Sequence, residues 1–108
     1  VLVVVVPQRA AVGHAGHQLV VYFVFGADLD ELVLHQVSSV HTDGLINTLS
    51  LDASKILRIY PEFGNVGPAG VPLVLSKAVE AGRIERGHRV ALMGIGSGLN
   101  CAMAEVVW

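Results

Sequence analysis

The feature that most restricts the fold of this chain is a helical pattern of apolar residues that leads directly into two strand-like runs. Between Pro68 and Gly82 the apolar residues recur at the spacing of one helix face: Val71, Val74, Leu75, Ala78 and Val79. The runs VALMGIG and CAMAEVVW follow, and they are typical of two strands joined by a glycine-rich bend. A helix followed by paired strands predicts a sheet that is covered by helices.

Segments upstream of that helix repeat the alternation of strand and helix. LVLHQ, residues 32–36, is a short buried-strand pattern. Ser38 or Ser39 can cap a helix that reaches about Leu49, with four apolar residues on one side: Val40, Leu45, Ile46 and Leu49. KILRIY, residues 55–60, fits either a short strand or an extended approach to the next motif. We therefore expect a layered α/β fold, with a mixed sheet whose last two strands form an antiparallel edge.

The start of the chain follows a different pattern. Two β-branched runs, residues 1–6 and 20–25, predict buried strands, and the glycines between them disfavour a helix. His14 and His17 lie three residues apart, but no cysteine or carboxylate stands beside them at ligand spacing, so we expect no metal site. The chain begins with Val1 rather than methionine, which leads us to expect a fragment or a processed piece.

Composition argues against several classes of function. Seven basic and nine acidic residues form no basic patch, so we do not expect a nucleic-acid partner. No apolar run approaches the roughly 18 residues that a membrane-spanning helix requires, so we expect no membrane span. The single cysteine, Cys101, excludes an internal disulfide and favours a reducing compartment, so we expect a cytoplasmic location.

The stretch YPEFGNVGPAGVP, residues 60–72, sets one asparagine, Asn65, among glycines and prolines that fix the backbone. A side-chain amide held in one direction can stabilise negative charge that develops on an oxygen, by about 3 kcal/mol per donor. Local sequence alone favours another role, in which Asn65 makes an Asx-turn and caps the helix that begins near Pro68. Both roles stay open at this point.

Two histidines and the cysteine supply the other candidates. His35 ends a strand pattern, where α/β folds place ligand sites, although a lone histidine is more often a hydrogen-bonded core residue. His41 is expected on the surface of the first predicted helix. Cys101 has no basic neighbour and no helix start to activate it, so we expect an inert buried thiol.

The bend GIGSG shares only its glycines with nucleotide-binding loops. A dinucleotide fingerprint follows the first strand and opens a long helix, whereas here a strand pattern follows Gly98 and ends the chain. We therefore expect a tight bend between paired strands, which brings the backbone close to another group.

Together, HQVS, GNVGPAGVPLVLSK and GIGSGLNCAMAEVVW resemble the C-terminal half of the thiolase-superfamily condensing enzymes, in the beta-ketoacyl-ACP synthase III branch. The tail is most similar to the acyl-CoA condensing enzymes of olefin (hydrocarbon) biosynthesis, which join two fatty-acyl chains head to head. HQVS and GNVG stand where general synthase III sequences tend to have HQAN and GNTSA. The resemblance covers residues 28–108 and leaves residues 1–27 as an unmatched, valine-rich start.

The resemblance implies a thiolase-like fold, of which this chain is the C-terminal half, and a Claisen condensation of acyl thioesters. It implies that His35 and Asn65, thirty residues apart, donate hydrogen bonds to the thioester carbonyl oxygen. It also places the glycine-rich bend beside the substrate pocket, through four residues: Gly94, Gly96, Ser97 and Gly98. The nucleophilic cysteine belongs to the family's N-terminal half, so we expect this chain alone to be inactive.

The resemblance also implies substrates and partners. The substrates are acyl-CoA or acyl-ACP, and no cofactor is expected. The partners are the N-terminal half of the same enzyme and a second copy in a homodimer. Two other functions stay open: a beta-ketoacyl-ACP synthase III of fatty-acid initiation, and a non-catalytic acyl-binding module or inactive fragment.

Overall fold

The computed structural model describes residues 2–6, 28–96 and 100–108, and four strands lie in these ranges. They are β1 (Leu2–Val6), β2 (Glu31–Leu34), β3 (Arg89–Gly96) and β4 (Asn100–Val107). The strands form one mixed sheet in the order β1-β4-β3-β2. β2 runs parallel to β3, whereas β4 runs antiparallel to both β3 and β1. The predicted mixed sheet, with an antiparallel pair at the end of the chain, is confirmed.

The β-branched start of the chain lies at one edge of this sheet. β1 pairs with β4 in register, from Leu2 opposite Glu105 to Val6 opposite Cys101, which confirms the predicted strand over residues 2–6. β4 is therefore an interior strand, and the expectation that the last two strands form the edge is wrong in this respect. Without β1, β4 would present a row of unpaired N–H and C=O groups.

Helix α1 (Ser39–Leu49) begins where its capping residue predicts. Ser38 Oγ accepts a hydrogen bond from His41 N at 3.0 Å, and the helix ends before Ser50, whose φ is 51°. The buried residues lie on one face: Thr42, Ile46 and Leu49. Val40 is 82% exposed, so its predicted place on the buried side is wrong. Val40 precedes the buried Thr42 by two positions, and two positions correspond to about 200° of rotation, so the two side chains point to opposite sides of the helix.

Residues 55–60 form an extended approach rather than a strand. A 3₁₀ turn, Ala53–Lys55, comes first, Ile56 is extended with φ −123°, and the short helix α2 (Tyr60–Phe63) follows. Ile56 and Ile59 are both buried, but they pack into two different hydrophobic clusters. The alternation in KILRIY therefore reflects a segment that passes between two cores, and of the two predicted alternatives the short strand is wrong.

Helix α3 (Gly70–Glu80) follows a second 3₁₀ turn, Gly67–Ala69, and confirms the helix predicted after Pro68. Val74 and Ala78 are fully buried, and burying a valine side chain contributes about 2 kcal/mol. The predicted end is also confirmed, because Gly82 has a φ of 70° that favours glycine after a helix. No helix in the described ranges is long and apolar enough to cross a membrane.

The two long helices cover opposite faces of the sheet. Successive residues of a strand point to opposite faces. Leu34 of β2 packs in one cluster with Ile46 of α1, whereas its neighbour Val33 packs in the other cluster with Val74 of α3. The layered α/β architecture predicted from the sequence is therefore confirmed, and the structure adds that one helix covers each face.

Several predictions fall on residues outside the described ranges. These are the strand at residues 20–25, His14, His17, Ser97 and Gly98.

Candidate active site

His35 lies immediately after β2, at the carboxyl end of that strand. Its backbone N–H donates to Met93 O of β3 at 2.9 Å, and only 8% of the residue is exposed. The strand predicted to reach Gln36 ends at Leu34. Beyond His35, the Gln36 side chain bonds to a different segment of the chain. His35 is thus a buried residue at the place where parallel strands of α/β sheets carry ligand sites.

Gly70, the first residue of α3, lies directly against the His35 ring. A Cβ atom on Gly70 would overlap Nδ1, and it would lie 3.0 Å from Cε1 and 3.4 Å from Cγ. The φ of Gly70 is −56°, which any residue can adopt, so the close approach rather than the backbone conformation requires glycine. The contact therefore restricts the position of the imidazole ring on the side of Nδ1.

Gln36 connects the end of β2 to the segment before α2. Its side chain makes three hydrogen bonds: Oε1 accepts from Ile59 N at 2.9 Å and Tyr60 N at 3.0 Å, and Nε2 donates to Leu57 O at 2.7 Å. Ile59 precedes α2 without a side-chain cap of its own. Gln36, which is 3% exposed, therefore caps this helix from another element.

Asn65 lies in the exposed loop between α2 and the second 3₁₀ turn. Its Oδ1 accepts a hydrogen bond from Gly67 N at 2.9 Å, in the predicted Asx-turn. Gly64 and Gly67 have φ values of 68° and 59°, in the region that favours glycine. The side chain caps the 3₁₀ turn rather than α3 itself, which begins at Gly70. With Oδ1 held in this way, Nδ2 makes no hydrogen bond to the described part of the chain and can serve a ligand.

Gly94 lies in β3 beside the start of α3. A Cβ atom there would lie 3.7 Å from Ala102 O and 4.0 Å from Val71 Cγ2. Gly96 is the exposed last residue of β3 and pairs with Asn100. The predicted strand pair flanking the bend is confirmed, while Ser97 and Gly98 within the bend lie outside the described residues.

The structure brings His35, Gly94 and the start of α3 to one corner. Leu34 pairs with Met93 in parallel register, so the residues that follow them, His35 and Gly94, lie side by side. Gly70 contacts the His35 ring, and Val71 faces Gly94. Asn65 belongs to the loop that enters α3 at this corner, and no hydrogen bond joins it directly to His35. An imidazole and a carboxamide are both neutral N–H donors, so together they can serve one acceptor oxygen.

Two other candidates take no part in these contacts. Cys101 pairs with Ile95 in the β3–β4 ladder and is partly exposed, so the expectation of a buried thiol is wrong. It lies inside a strand, where no helix start can activate it, as expected. His41 is half-buried in the first turn of α1, rather than on its surface, and its Nδ1 atom is buried without a hydrogen-bond partner among the described residues.

The family model for the C-terminal region of 3-oxoacyl-[acyl-carrier-protein (ACP)] synthase III matches residues 24–108. The chain belongs to this family. An acyl-CoA:acyl-CoA alkyltransferase of Xanthomonas campestris pv. campestris is 56% identical over 75% of this chain and 24% of the relative. A chloroplastic beta-ketoacyl-[acyl-carrier-protein] synthase III B of Cuphea wrightii is 32% identical over 95% of this chain and 24% of the relative. This synthase III domain thus spans about a quarter of the length of the curated relatives it matches.

Solved structures agree with this assignment. The 3-oxoacyl-(acyl carrier protein) synthase III, FabH, of Xanthomonas oryzae pv. oryzae matches with a TM-score of 0.75 and 52% identity, over 83% of this chain and 28% of that one. Xanthomonas campestris OleA matches with a TM-score of 0.74 and 52% identity, over 81% of this chain and 26% of that one. The mixed sheet with its covering helices is therefore the C-terminal portion of a thiolase-like fold, and the predicted family is confirmed. The division into residues 1–27 and 28–108 stays a prediction.

Two residues at this corner were missed as functional candidates. Gln36 had a signal in the sequence, because a polar residue that ends an apolar strand pattern needs hydrogen-bond partners when it is buried. Gly70 had a weaker signal. A helix start does not require glycine for its backbone angles, so a glycine at that place suggests close contact with another group. Neither signal names the partner, since both contacts join segments more than twenty residues apart.

Proposed function

We propose that the complete enzyme, meaning this synthase III domain together with the N-terminal half of its family, joins acyl thioesters by Claisen condensation. In this proposal His35 and Asn65 are the hydrogen-bond donors of the domain, and the N-terminal half supplies the nucleophilic cysteine. Family membership supports the reaction class. The placement of His35 at the end of β2, and of Asn65 in the loop that enters α3 beside it, supports the two roles.

The proposed reaction has two steps. The cysteine thiolate first takes an acyl group from its carrier and releases the carrier thiol. The α-carbon of the second acyl thioester then loses either a proton, to a base of the N-terminal half, or a carboxyl group, as carbon dioxide, and the resulting carbanion attacks the carbonyl carbon of the acyl-cysteine. A carbon–carbon bond forms, the carbon–sulfur bond to cysteine breaks, and the thiolate leaves. Negative charge grows on the carbonyl oxygen of the second thioester as the carbanion forms, and this oxygen is the acceptor assigned to His35 and Asn65.

The orientation of the Asn65 amide is the observation that carries this assignment. Gly67 N holds Oδ1 at 2.9 Å, so the direction of Nδ2 is set before any substrate binds. Donors that need no reorganisation stabilise a developing oxyanion best, and removal of one such donor lowers a rate about 100-fold to 1,000-fold. For His35 the corresponding constraint is Gly70, which lies against the ring and restricts its position.

Cys101 has no part in the proposed reaction. It lies in β4, paired with Ile95 of β3 and with Val6 of β1, so it is an interior position of the sheet. The nucleophile of the proposed mechanism lies at a helix start in the N-terminal half. We expect no cofactor. The first step transfers an acyl group between sulfur atoms, the second forms a carbon–carbon bond and releases the cysteine thiolate, and neither step needs an external oxidant or reductant.

The proposed substrates are two fatty-acyl-CoA molecules, joined head to head. The 56% identity to an acyl-CoA:acyl-CoA alkyltransferase and the motifs HQVS and GNVG support this choice. Synthase III activity with an acyl carrier protein is the second candidate, because the solved 3-oxoacyl-(acyl carrier protein) synthase III of Xanthomonas oryzae pv. oryzae is also 52% identical to this chain. The two candidates share the roles of His35 and Asn65 and differ in the carrier of the second acyl group.

Separate measurement of the two steps tests this proposal. The complete enzyme and its His35→Ala and Asn65→Ala variants are mixed with acyl-CoA, and the acyl-cysteine is quantified by intact-protein mass spectrometry. We expect both variants to form acyl-cysteine as the parent does, but to form the condensed product about 100-fold more slowly. Parallel reactions with acyl-ACP as the second substrate separate the two candidate functions. Normal condensation in either variant would show that its assigned role is wrong.

A further inference from the structure

Gln36 follows His35 directly and has no part in the reaction proposed above. Its side chain is 3% exposed, and all three of its hydrogen bonds reach the backbone of residues 57–60. These residues lead into the loop of Asn65. The amide therefore connects the strand end that carries one proposed donor to the segment that carries the other.

The path from Gln36 to Asn65 is short and hydrogen-bonded. Gln36 Oε1 holds the N–H of Tyr60, the first residue of α2. Tyr60 O in turn accepts from Gly64 N at 2.8 Å, which closes the single turn of α2. Asn65 comes next, and its own Oδ1 bond to Gly67 N continues the series.

The other end of the loop is held to the same pair of residues. After the 3₁₀ turn the chain enters α3 at Gly70, which lies against the His35 ring. The loop of Asn65 is therefore held near Gln36 at its start and near His35 at its end. Adjacent residues of one strand end thus set both ends of the loop.

We propose that Gln36 is a positioning residue, which holds the Asn65 loop at a fixed distance from His35 so that both donors can reach one oxygen. This inference rests on the proposed function. Gln36 itself is buried, bonds only to residues 57–60, and acts through Asn65. Misplacement of a reacting or stabilising group by about 1 Å can lower a rate about 100-fold, so loss of this connection slows condensation.

The test uses Gln36→Met and Gln36→Glu in the complete enzyme, with Lys55→Met as the matched control. Methionine keeps the length of the side chain but removes all three hydrogen bonds. Glutamate keeps an acceptor for Ile59 and Tyr60 but sets a carboxylate oxygen against Leu57 O. Lys55 makes a comparable long-range bond, from Nζ to Leu29 O at 2.7 Å, that lies outside the Asn65 loop.

We expect both Gln36 variants to form acyl-cysteine normally and to condense about tenfold to 100-fold more slowly, while Lys55→Met condenses at the parent rate. Combination with Asn65→Ala distinguishes positioning from general stability. If Gln36 acts through Asn65, Gln36→Met lowers the rate of Asn65→Ala no further, whereas independent effects would multiply. Multiplied effects, or normal condensation in both Gln36 variants, would overturn the inference. If Gln36→Met does not fold, the same comparison with Gln36→Glu decides.

Hydrogen exchange gives a readout that does not depend on the reaction. In the Gln36 variants we expect faster exchange at the amides of Ile59, Tyr60 and Gly67, and unchanged exchange in α1. Unchanged exchange at Gly67 would contradict the connection between Gln36 and the Asn65 loop. Normal condensation by Asn65→Ala alone would instead refute the proposed function, and the exchange result would still decide whether Gln36 positions the loop.

Discussion

Replacement of Gly70 by alanine tests how tightly the His35 ring is held. Gly70 opens α3 with a φ of −56°, so the backbone accepts alanine, and helix propensity alone would favour the change by about 1 kcal/mol. The added Cβ would overlap Nδ1 of His35. Ordinary contacts between such atoms lie at 3.4–4 Å, so the ring must move by about 1 Å.

The surroundings of His35 limit how that movement can occur. Its backbone N–H is bonded to Met93 O at 2.9 Å, and the residue is 8% exposed, so the backbone cannot retreat with the ring. Overpacking of this kind costs about 1–3 kcal/mol, which cancels or exceeds the gain in helix propensity. We therefore expect Gly70→Ala to be no more stable than the parent enzyme and to condense acyl groups about 100-fold more slowly.

Gly44→Ala is the matched control. Gly44 lies inside α1, and a Cβ atom there would meet nothing within 4 Å. We expect this variant to gain about 0.5–1 kcal/mol in unfolding free energy and to keep full activity. The assays are urea unfolding of both variants and the separate rates of acylation and condensation. If Gly70→Ala is as stabilised and as active as Gly44→Ala, the proposed constraint on His35 does not exist.

Three further changes test other parts of the structure. Asn65→Asp keeps the acceptor for Gly67 N but loses the Nδ2 donor, so we expect normal stability and a condensation rate about 100-fold lower, measured with preformed acyl-enzyme. Arg83→Met leaves the buried Glu31 carboxylate without its partner, which binds it at 2.6 Å and 3.1 Å, and we expect a loss of about 3 kcal/mol in urea unfolding. The Ser54 hydroxyl, and then its backbone N–H, hold the pKa of the Asp52 carboxyl below its usual value, so Ser54→Ala should raise that pKa in an NMR titration.

Each of these predictions has an outcome that would contradict it. Normal condensation by Asn65→Asp would show that Asn65 Nδ2 is not a hydrogen-bond donor in the reaction. For Arg83→Met, the control is Lys77→Met, which breaks an exposed pair with Glu80 and should leave the unfolding midpoint nearly unchanged. Equal effects of the two variants would show that burial of Glu31 adds nothing to its ion pair.

The sign of the pH effect at Asp52 follows from the direction of its pKa shift. A carboxyl group whose pKa is lower in the folded state than in the unfolded state stabilises the fold at pH values above the unfolded pKa. That contribution is lost as the pH falls through the folded pKa. In Ser54→Ala the two pKa values lie closer together, so the acid-side loss of stability from Asp52 should shrink. An unchanged Asp52 titration would refute the role of the hydroxyl.

Elements with a strong burial pattern could be predicted from the sequence. α3 was predictable because one face of it is buried against the sheet, as Val74 and Ala78 show, and burial of one face produces a helical period. β3 was predictable because its residues are apolar and end in glycines. The register of β1 against β4 was not, because it depends on pairing between the two ends of the chain, as at Leu2 and Glu105.

The failures have a common physical cause in contacts that are distant in sequence. β2 ends at Leu34, and Gln36 beyond it bonds to Leu57, Ile59 and Tyr60, partners that no local pattern contains. The same bonds hold residues 57–60, which form an extended approach to α2 instead of the predicted strand. In α1, periodicity alone could not decide which of two possible faces, one with Val40 and one with Thr42, would meet the sheet.

In the candidate site, too, local features could be predicted from the sequence and contacts between distant segments could not. The Asx-turn of Asn65 follows from local chemistry, since an asparagine side chain readily accepts a hydrogen bond from the backbone N–H two residues on. The pairing of Asn65 with His35 as joint donors came from the resemblance to a family, because thirty residues separate them. The tight contact of Gly70 with the His35 ring emerged only from the folded structure.

The central claim is that His35 and Asn65 donate to one carbonyl oxygen, and a crystal structure tests it most directly. The complete enzyme would be crystallised with a stable analogue of an acyl thioester in which the carbonyl group is retained. We predict that His35 Nε2 and Asn65 Nδ2 both lie about 2.7–3.1 Å from that oxygen, with Asn65 Oδ1 still bonded to Gly67 N. A carbonyl oxygen bound elsewhere, or an Asn65 side chain turned away from it, would contradict the account.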